Sequence, residues 1–115
     1  MDKVVVIDDA PDIHILLERC LASERVELSS AYDAGEGIAR VMASQPDLIL
    51  LDVNLPDMDG HDILQDIRRD DQDTPVVLLT AEHASATIGP LLRLGVSNYI
   101  HKPFNPRELL GRINS

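Results

Sequence analysis

The sequence has few aromatic residues, a single cysteine and no long apolar run. Among its 115 residues there are one phenylalanine, two tyrosines and no tryptophan, so a core has to be built mainly from aliphatic side chains. Cys20 stands alone, which excludes a disulfide within the chain, and its place in an apolar helical pattern favours a buried thiol. No apolar run approaches the roughly 20 residues of a membrane span, and the N-terminus lacks the pattern of a signal peptide.

Positive charge is also scarce. Lys and Arg number 10 against 20 Asp and Glu, which gives a formal net charge of −10 at pH 7. Binding to a nucleic-acid backbone requires clustered Lys and Arg, so we expect no direct nucleic-acid binding by this domain and no membrane partner. The lone thiol is compatible with a reducing compartment, and we expect a cytoplasmic location.

What the chain has in abundance is aliphatic residues, which alternate between strand-like and helix-like patterns. Hydrophobic residues make up 44% of the sequence. The predicted strands are 3–9, 25–31, 47–52, 74–81 and 96–102, and the clearest helical patterns start at Pro11 and cover 33–45, 60–70 and 105–113. Such alternation predicts an α/β fold with a parallel sheet between helical layers. We expect residues 1–115 to form a single domain, the N-terminal part of a longer chain.

Polar side chains follow four of the predicted strands at their carboxyl ends. The first strand leads to Asp8 and Asp9, the third to Asp52, the fourth to Thr80 and the fifth to Lys102. In open parallel sheets, ligands bind beyond the carboxyl ends of the strands. We therefore expect these five side chains to lie at one edge of the sheet.

The residue types at this edge indicate phosphoryl chemistry. Carboxylates that converge repel one another unless a cation joins them, and an oxygen-only ligand set favours Mg²⁺. A hydroxyl and an ammonium group nearby are suitable partners for phosphate oxygens. Together these groups predict transfer of a phosphoryl group to a carboxylate.

Four segments, in matching order and spacing, carry a resemblance that runs over essentially the whole chain. They are "VVVIDDAPD" (4–12), "PDLILLDVNLPDMDG" (46–60), "TPVVLLTA" (74–81) and "LGVSNYIHKPF" (94–104). The sequence resembles the receiver domains of response regulators, the phosphoacceptor modules of two-component signalling. The resemblance implies a flavodoxin-like (βα)5 three-layer sandwich with five parallel strands in the order 2-1-3-4-5.

The resemblance also assigns expected roles to residues at the acidic edge. Asp52 matches the phosphoacceptor, so the chain is expected to be a phosphoprotein of a phosphorelay. The pair Asp8 and Asp9 matches the acids that hold Mg²⁺ together with Asp52, with Asp9 expected to ligate directly. The backbone carbonyl of Asn54 is a further expected metal ligand.

The remaining expected roles concern the phosphoryl group and the switch. Thr80 would bind a phosphoryl oxygen, Lys102 would bridge to the same group, and Tyr99 would turn inward when Thr80 is drawn to the phosphate. A cis peptide bond is expected before Pro103, and Glu82 stands where the attack of water on the phosphoaspartate is modulated.

The resemblance implies partners rather than substrates. A sensor histidine kinase or phosphotransfer protein would donate the phosphoryl group, and the resulting switch would control a C-terminal effector domain, a partner or homodimer formation. The domain would assist its own phosphorylation and dephosphorylation without being an enzyme in the usual sense.

Each residue also has a plainer interpretation. Asp9 alone could be a helix cap, Thr80 a strand-end hydroxyl, Lys102 a solvated lysine and Tyr99 a packing residue. The four histidines, His14 among them, lack the spacing of metal ligands. The two acids that follow Pro56, at positions 57 and 59, are interpreted as loop surface.

Two other functions remain open at this stage. A haloacid-dehalogenase-type phosphatase also ends a hydrophobic strand on a nucleophilic Asp, but it needs a second Asp two residues on, where this chain has Asn54. A receiver that has lost phosphorylation would be an interaction module, but such a chain normally lacks one of the acids or the lysine.

The segment between Thr80 and Gly95 departs from a regular helical pattern because Gly89 and Pro90 fall in its middle. Proline inside a helix costs about 3 kcal/mol or more. We therefore predict that this helix is kinked, shortened, or restarts at Pro90, rather than running regularly from Ala84 to Leu94.

Overall fold

Strands and helices alternate strictly along the described part of the chain. The computed structural model describes residues 2–22, 25–71, 73–80, 85–102 and 105–113. The strands are β1 (Asp2–Ile7), β2 (Val26–Ala31), β3 (Leu48–Asp52), β4 (Val76–Thr80) and β5 (Val96–His101). The helices are α1 (Pro11–Leu21), α2 (Ala34–Ser44), α3 (Gly60–Asp70), α4 (Ser85–Leu92) and α5 (Pro106–Ile113).

All neighbouring strands are parallel, and the sheet has the order β2-β1-β3-β4-β5. This confirms the predicted flavodoxin-like arrangement. The chain order reverses beside β1, which pairs with both β2 and β3. The carboxyl ends of β1 and β3 therefore flank the switch point, where α/β sheets bind ligands.

Two hydrophobic cores cover the two faces of the sheet. Ile49 and Leu51 of β3 belong to one core, which also takes in side chains of α2, α3 and α4. Leu50 points to the other core, together with side chains of α1 and α5. The strand β3 is buried on both faces, as a continuous apolar run in a parallel sheet requires, and so its last residue is held rigidly.

Helices α5 and α1 begin differently: α5 has a side-chain cap and α1 does not. Asn105, the first residue of the helical pattern 105–113, accepts a hydrogen bond from the Glu108 N–H at 2.7 Å and caps α5. The N-cap of α1 is Ala10, which makes no side-chain cap hydrogen bond, and Pro11 stands in the first turn. The interpretation of Asp9 as the cap of α1 is therefore wrong.

Helix α4 runs through Pro90 without a break. It ends at Leu92, short of Leu94, and its eight residues compare with eleven in each of α1, α2 and α3. The early end confirms the predicted shortening, one of the three outcomes expected from Gly89 and Pro90, and the helix does not restart at Pro90. A proline removes one intrahelical hydrogen bond, and a helix can continue past it when other contacts hold the chain.

Two further features bear on expectations from composition. Cys20 is buried on α1 as predicted, and burial raises the pKa of its thiol above the usual value. Within the described ranges, no helix is both long and apolar enough to cross a membrane.

Candidate functional site

The carboxyl edge of the sheet brings the predicted residues together. Strand register aligns Ile7 with Leu51 and Asp52 with Leu79, so the residues that follow β1 and β3 lie side by side. Thr80 pairs with His101, which places Lys102 one residue beyond Thr80 at the same edge. Among the described residues, Asp8, Asp52 and Thr80 are fully or almost fully buried polar side chains there.

Asp52 is the last residue of β3, and its carboxylate is held in place from two sides. Its Oδ1 accepts a hydrogen bond from the backbone N–H of Asn54 at 2.9 Å. Its Oδ2 lies 3.3 Å from the Nζ of Lys102. Only 5% of the residue is exposed, so the carboxylate is presented at a fixed angle in a partly water-excluded site.

Lys102 joins Asp8 to Asp52. Its Nζ lies 2.6 Å from the Oδ2 of Asp8, a carboxylate that is fully buried. Its backbone N–H donates to the carbonyl of Thr80 at 2.7 Å, which ties the end of β5 to the end of β4. Burial opposes the charge of Lys102, but the Asp8 and Asp52 carboxylates outweigh it and hold the pKa of the ammonium above its ordinary value of 10.5.

The site fits a divalent cation. Asp8, Asp9 and Asp52 each offer a carboxylate oxygen, and these oxygens lie within 4.8 Å of one another. Asp9 is exposed, whereas the other two are buried, so the cluster opens toward solvent on the Asp9 side. Three carboxylates against one ammonium leave an excess of negative charge, and oxygen donors alone suit a hard cation such as Mg²⁺.

The residues predicted to act on the phosphoryl group and the switch lie at different depths. Thr80 is fully buried, and Tyr99 is 41% exposed. The ring of Tyr99 meets His101 edge-on, with 5.8 Å between ring centroids. Asn54 is exposed and bridges to Asp59 within the loop that follows β3.

The position of His14 behind the site was not predicted from the sequence. Its side chain is 1% exposed, and its Nε2 lies 2.7 Å from the backbone carbonyl of Asp8. The absence of metal-ligand spacing kept it out of the predicted ligand set, but that criterion says nothing about contacts with the main chain. The only available signal was its position: His14 lies about one turn into the helix that follows the two acids at the end of β1.

The loop acids Asp57 and Asp59 are exposed as predicted, but both have structural partners. Asp57 accepts hydrogen bonds from the backbone N–H groups of Ala34, at 3.0 and 3.1 Å, and Gly35, at 3.3 Å. The Ala34 bond above all, against a smaller effect of burial and with help from Gly35, lowers the pKa of Asp57 below its usual value. Asp59 caps α3 through the N–H of Asp62 at 2.9 Å.

The predictions made for Glu82 and for the peptide bond before Pro103 concern residues outside the described ranges.

Comparison with known proteins agrees with this geometry. A family model described as the response regulator receiver domain matches residues 4–114. The structure is similar to a CheY-like receiver domain protein from Methanospirillum hungatei JF-1, with 30% identity, a TM-score of 0.93, and coverage of 99% of this chain and 91% of that one.

Two further solved structures are similar over nearly the whole chain. The chemotaxis response regulator CheY4 of Vibrio cholerae is 29% identical, with a TM-score of 0.92 and coverage of 99% of this chain and 97% of that one. NtrX from Brucella abortus is 29% identical with a TM-score of 0.90, and here 98% of this chain matches only 26% of that chain.

Proposed function

The chain belongs to the response regulator receiver domain family of two-component signalling, and on that premise we propose that Asp52 is its phosphoacceptor. The main support is a contact at the switch point of the sheet, where the ammonium of Lys102 meets the two buried carboxylates of Asp8 and Asp52. An exposed third acid, Asp9, completes a cluster open to solvent. These are the groups needed to hold, attack and neutralise a phosphoryl group.

In the proposed reaction, a carboxylate oxygen of Asp52 attacks the phosphorus of a phosphohistidine on a sensor kinase or phosphotransfer protein. The new oxygen–phosphorus bond forms as the nitrogen–phosphorus bond breaks, and the imidazole leaves with its electron pair and takes a proton. Because the Asn54 N–H and Lys102 hold the carboxylate from two sides, the nucleophile is pre-oriented.

Charge on the transferred group is balanced by residues already at the edge. The Lys102 ammonium and the Thr80 hydroxyl would contact the phosphoryl oxygens, since Lys102 already lies 3.3 Å from the Asp52 carboxylate and Thr80 ends β4, the strand beside Asp52. Mg²⁺ would be held by the carboxylates of Asp8, Asp9 and Asp52 and by the carbonyl of Asn54. When bound, it would neutralise charge that develops on the phosphoryl oxygens.

The output of the reaction is a shift between two conformations. Thr80 would be drawn to the phosphoryl group, and the half-exposed Tyr99 would turn inward. We propose that this change acts on an effector domain, a partner or a second copy of the chain in the cytoplasm. The domain assists its own phosphorylation and autodephosphorylation, and turns over no separate substrate.

Intact mass after incubation with Mg²⁺ and a small acyl phosphate donor tests the proposal. We expect the wild-type chain to gain the mass of one phosphoryl group, and to gain none when EDTA replaces Mg²⁺. The variant Asp52→Asn should stay unmodified, and Asp73→Asn, the same change at an exposed acid away from the site, should behave as wild type. An unmodified wild-type chain, or equal labelling of Asp52→Asn, would refute the proposal.

A further inference from the structure

The side chain of His14 is buried and takes no part in the proposed phosphoryl transfer. It lies in α1 and is 1% exposed, in contrast to His61, whose side chain is 44% exposed. A buried polar ring has to be hydrogen-bonded to be tolerated. The hydrogen-bond partner of His14 therefore indicates its role.

That partner is the backbone of an acid in the site. The Nε2 of His14 lies 2.7 Å from the carbonyl oxygen of Asp8. A carbonyl oxygen can only accept, so Nε2 carries the proton and donates it. Helix α1 is thereby fastened directly to the residue that follows β1.

With this bond, Asp8 is held at both of its backbone groups and at both carboxylate oxygens. Its N–H donates to the carbonyl of Ala31 at 3.1 Å. Its Oδ1 accepts from the N–H of Ala10 at 2.9 Å, and its Oδ2 meets Lys102 at 2.6 Å. The contact from His14 holds the remaining group, the carbonyl.

The Asp8 carbonyl also belongs to the peptide plane that leads to Asp9. Because a peptide unit is planar, fixing this oxygen fixes the nitrogen and the start of the Asp9 main chain. Asp9 is exposed, so its direction depends on its backbone more than on packing around its side chain. The two acids of the pair are thus oriented through one peptide unit.

The ring of His14 is itself held from a second element. Its centroid lies 4.2 Å from that of Tyr32, with the rings inclined at 40°. Tyr32 directly follows Ala31, the residue that accepts the Asp8 N–H. The ends of β1 and β2 and the first turns of α1 therefore form one connected support behind the acidic pair.

We propose that His14 is a positioning residue that fixes the Asp8–Asp9 peptide and thereby sets the affinity of the three-carboxylate cluster for a divalent cation. This inference rests on the proposed function, because it takes Asp8 and Asp9 as metal ligands. Removing a group that hydrogen-bonds to the metal ligands and orients them commonly lowers metal affinity by about 10-fold or more.

Two substitutions separate the hydrogen bond from the volume of the ring. His14→Phe keeps an aromatic ring against Tyr32 and removes the donor, so we expect Mg²⁺ to bind about 10-fold more weakly. His14→Gln places an amide N–H near the position of Nε2, and we expect it to restore most of the affinity.

Isothermal titration of each folded chain with Mg²⁺ at one fixed pH, together with its melting temperature, is the test. Ile67→Val, a small loss of packing in α3, serves as control and should change the melting temperature without changing Mg²⁺ affinity. Equal affinity in wild type and His14→Phe would overturn the inference. No Mg²⁺ binding by the wild-type chain would instead count against the metal site of the proposed function.

A measurement on the wild-type chain keeps the inference testable if His14→Phe does not fold. Long-range nitrogen–proton correlation spectra of the imidazole report which ring nitrogen carries the proton. We expect the Nε2–H form both before and after saturation with Mg²⁺, and an Nδ1–H form in either state would overturn the inference.

Discussion

At the scale of single residues, the charge of Lys102 has the largest consequences. Its ammonium is 2.6 Å from Asp8 and 3.3 Å from Asp52, and both carboxylates are buried. Removing one member of a buried ionic group costs more than the pair contributes, because the partner charges stay behind without compensation. The lysine therefore supports the fold as well as the proposed chemistry.

Lys102→Met should lower the free energy of unfolding at neutral pH by about 2 to 4 kcal/mol. This lies near the low end of the range for breaking a buried pair, because 18% of the Lys102 side chain is exposed. Urea denaturation without Mg²⁺ measures the difference. An unchanged or increased stability of the variant would show that the lysine does not compensate the two carboxylates.

The difference in unfolding free energy between wild type and Lys102→Met should also depend on pH in the alkaline range. The pKa of Lys102 is raised in the folded state, so its stabilising effect is complete below the unfolded value of 10.5 and is lost as pH rises through the folded pKa. The stability difference between wild type and Lys102→Met should therefore be constant between neutral pH and pH 10.5 and shrink above it.

Asp9 should have the opposite effect on stability. It is the exposed member of three carboxylates whose oxygens lie within 4.8 Å of one another, so Asp9→Asn relieves repulsion. Without Mg²⁺ we expect the variant to be more stable by about 1 kcal/mol, as for nearby charges in a water-like dielectric. Thermal melts in EDTA and in Mg²⁺ check this: Mg²⁺ should raise the melting temperature of wild type clearly and that of the variant little.

At the scale of elements, the loop after β3 is fastened to α2. The Asp57 carboxylate accepts hydrogen bonds from N–H groups at the start of α2, where the helix dipole also favours a negative charge. The same loop carries Asn54, whose carbonyl is a proposed metal ligand. A contact between two loops at the edge of the sheet thus supports one side of the site.

Asp57→Asn should loosen this contact. We expect faster hydrogen exchange at the amides of Ala34 and Gly35 and a lower melting temperature, whereas Asp70→Asn, the same change at another exposed acid, should leave both amides protected. Because the pKa of Asp57 is lowered in the folded state, its contribution is present above the usual 3.8 and is lost as pH falls through the folded value. Unchanged exchange at the two amides would contradict the assignment.

Glycines in two helices should respond in opposite directions to alanine. A Cβ at Gly89 of α4 would meet no atom within 4 Å, whereas one at Gly37 of α2 would lie 2.6 Å from the Ile7 side chain. Gly89→Ala should therefore stabilise the domain by up to about 1 kcal/mol, and Gly37→Ala should destabilise it by about 1 to 3 kcal/mol through overpacking. Urea denaturation of both variants gives the two signs, and a destabilised Gly89→Ala would contradict the described path of α4.

At the scale of the whole molecule, the parallel sheet explains why so much could be predicted from sequence. Each buried strand is an apolar run, and its end is marked by the first polar residue, so Asp8, Asp52 and Thr80 were identifiable without coordinates. Parallel strands put all those ends at one edge. The gathering of the site therefore follows from topology, and topology follows from the alternation of strand and helix.

Contacts that depend on the path of the main chain could not be predicted in this way. The bonds from His14 to the Asp8 carbonyl and from Ala34 to Asp57 join residues 6 and 23 positions apart. Neither leaves a periodic signal, because a backbone group accepts or donates whatever its side chain is. Gly89 and Pro90 predicted a kinked, shortened or restarted α4 without deciding among the three, because surrounding contacts can outweigh a local helix preference.

Asp52, and no other carboxylate of the acidic edge, is the proposed acceptor of the phosphoryl group. Borohydride reduces an aspartyl phosphate to homoserine, so peptide mass spectrometry after treatment with a small acyl phosphate donor, Mg²⁺ and borohydride locates the modified residue. We predict homoserine at position 52 alone, dependent on both donor and Mg²⁺. Homoserine at position 8 or 9, or none at all, would contradict the assignment of Asp52 as the phosphoacceptor.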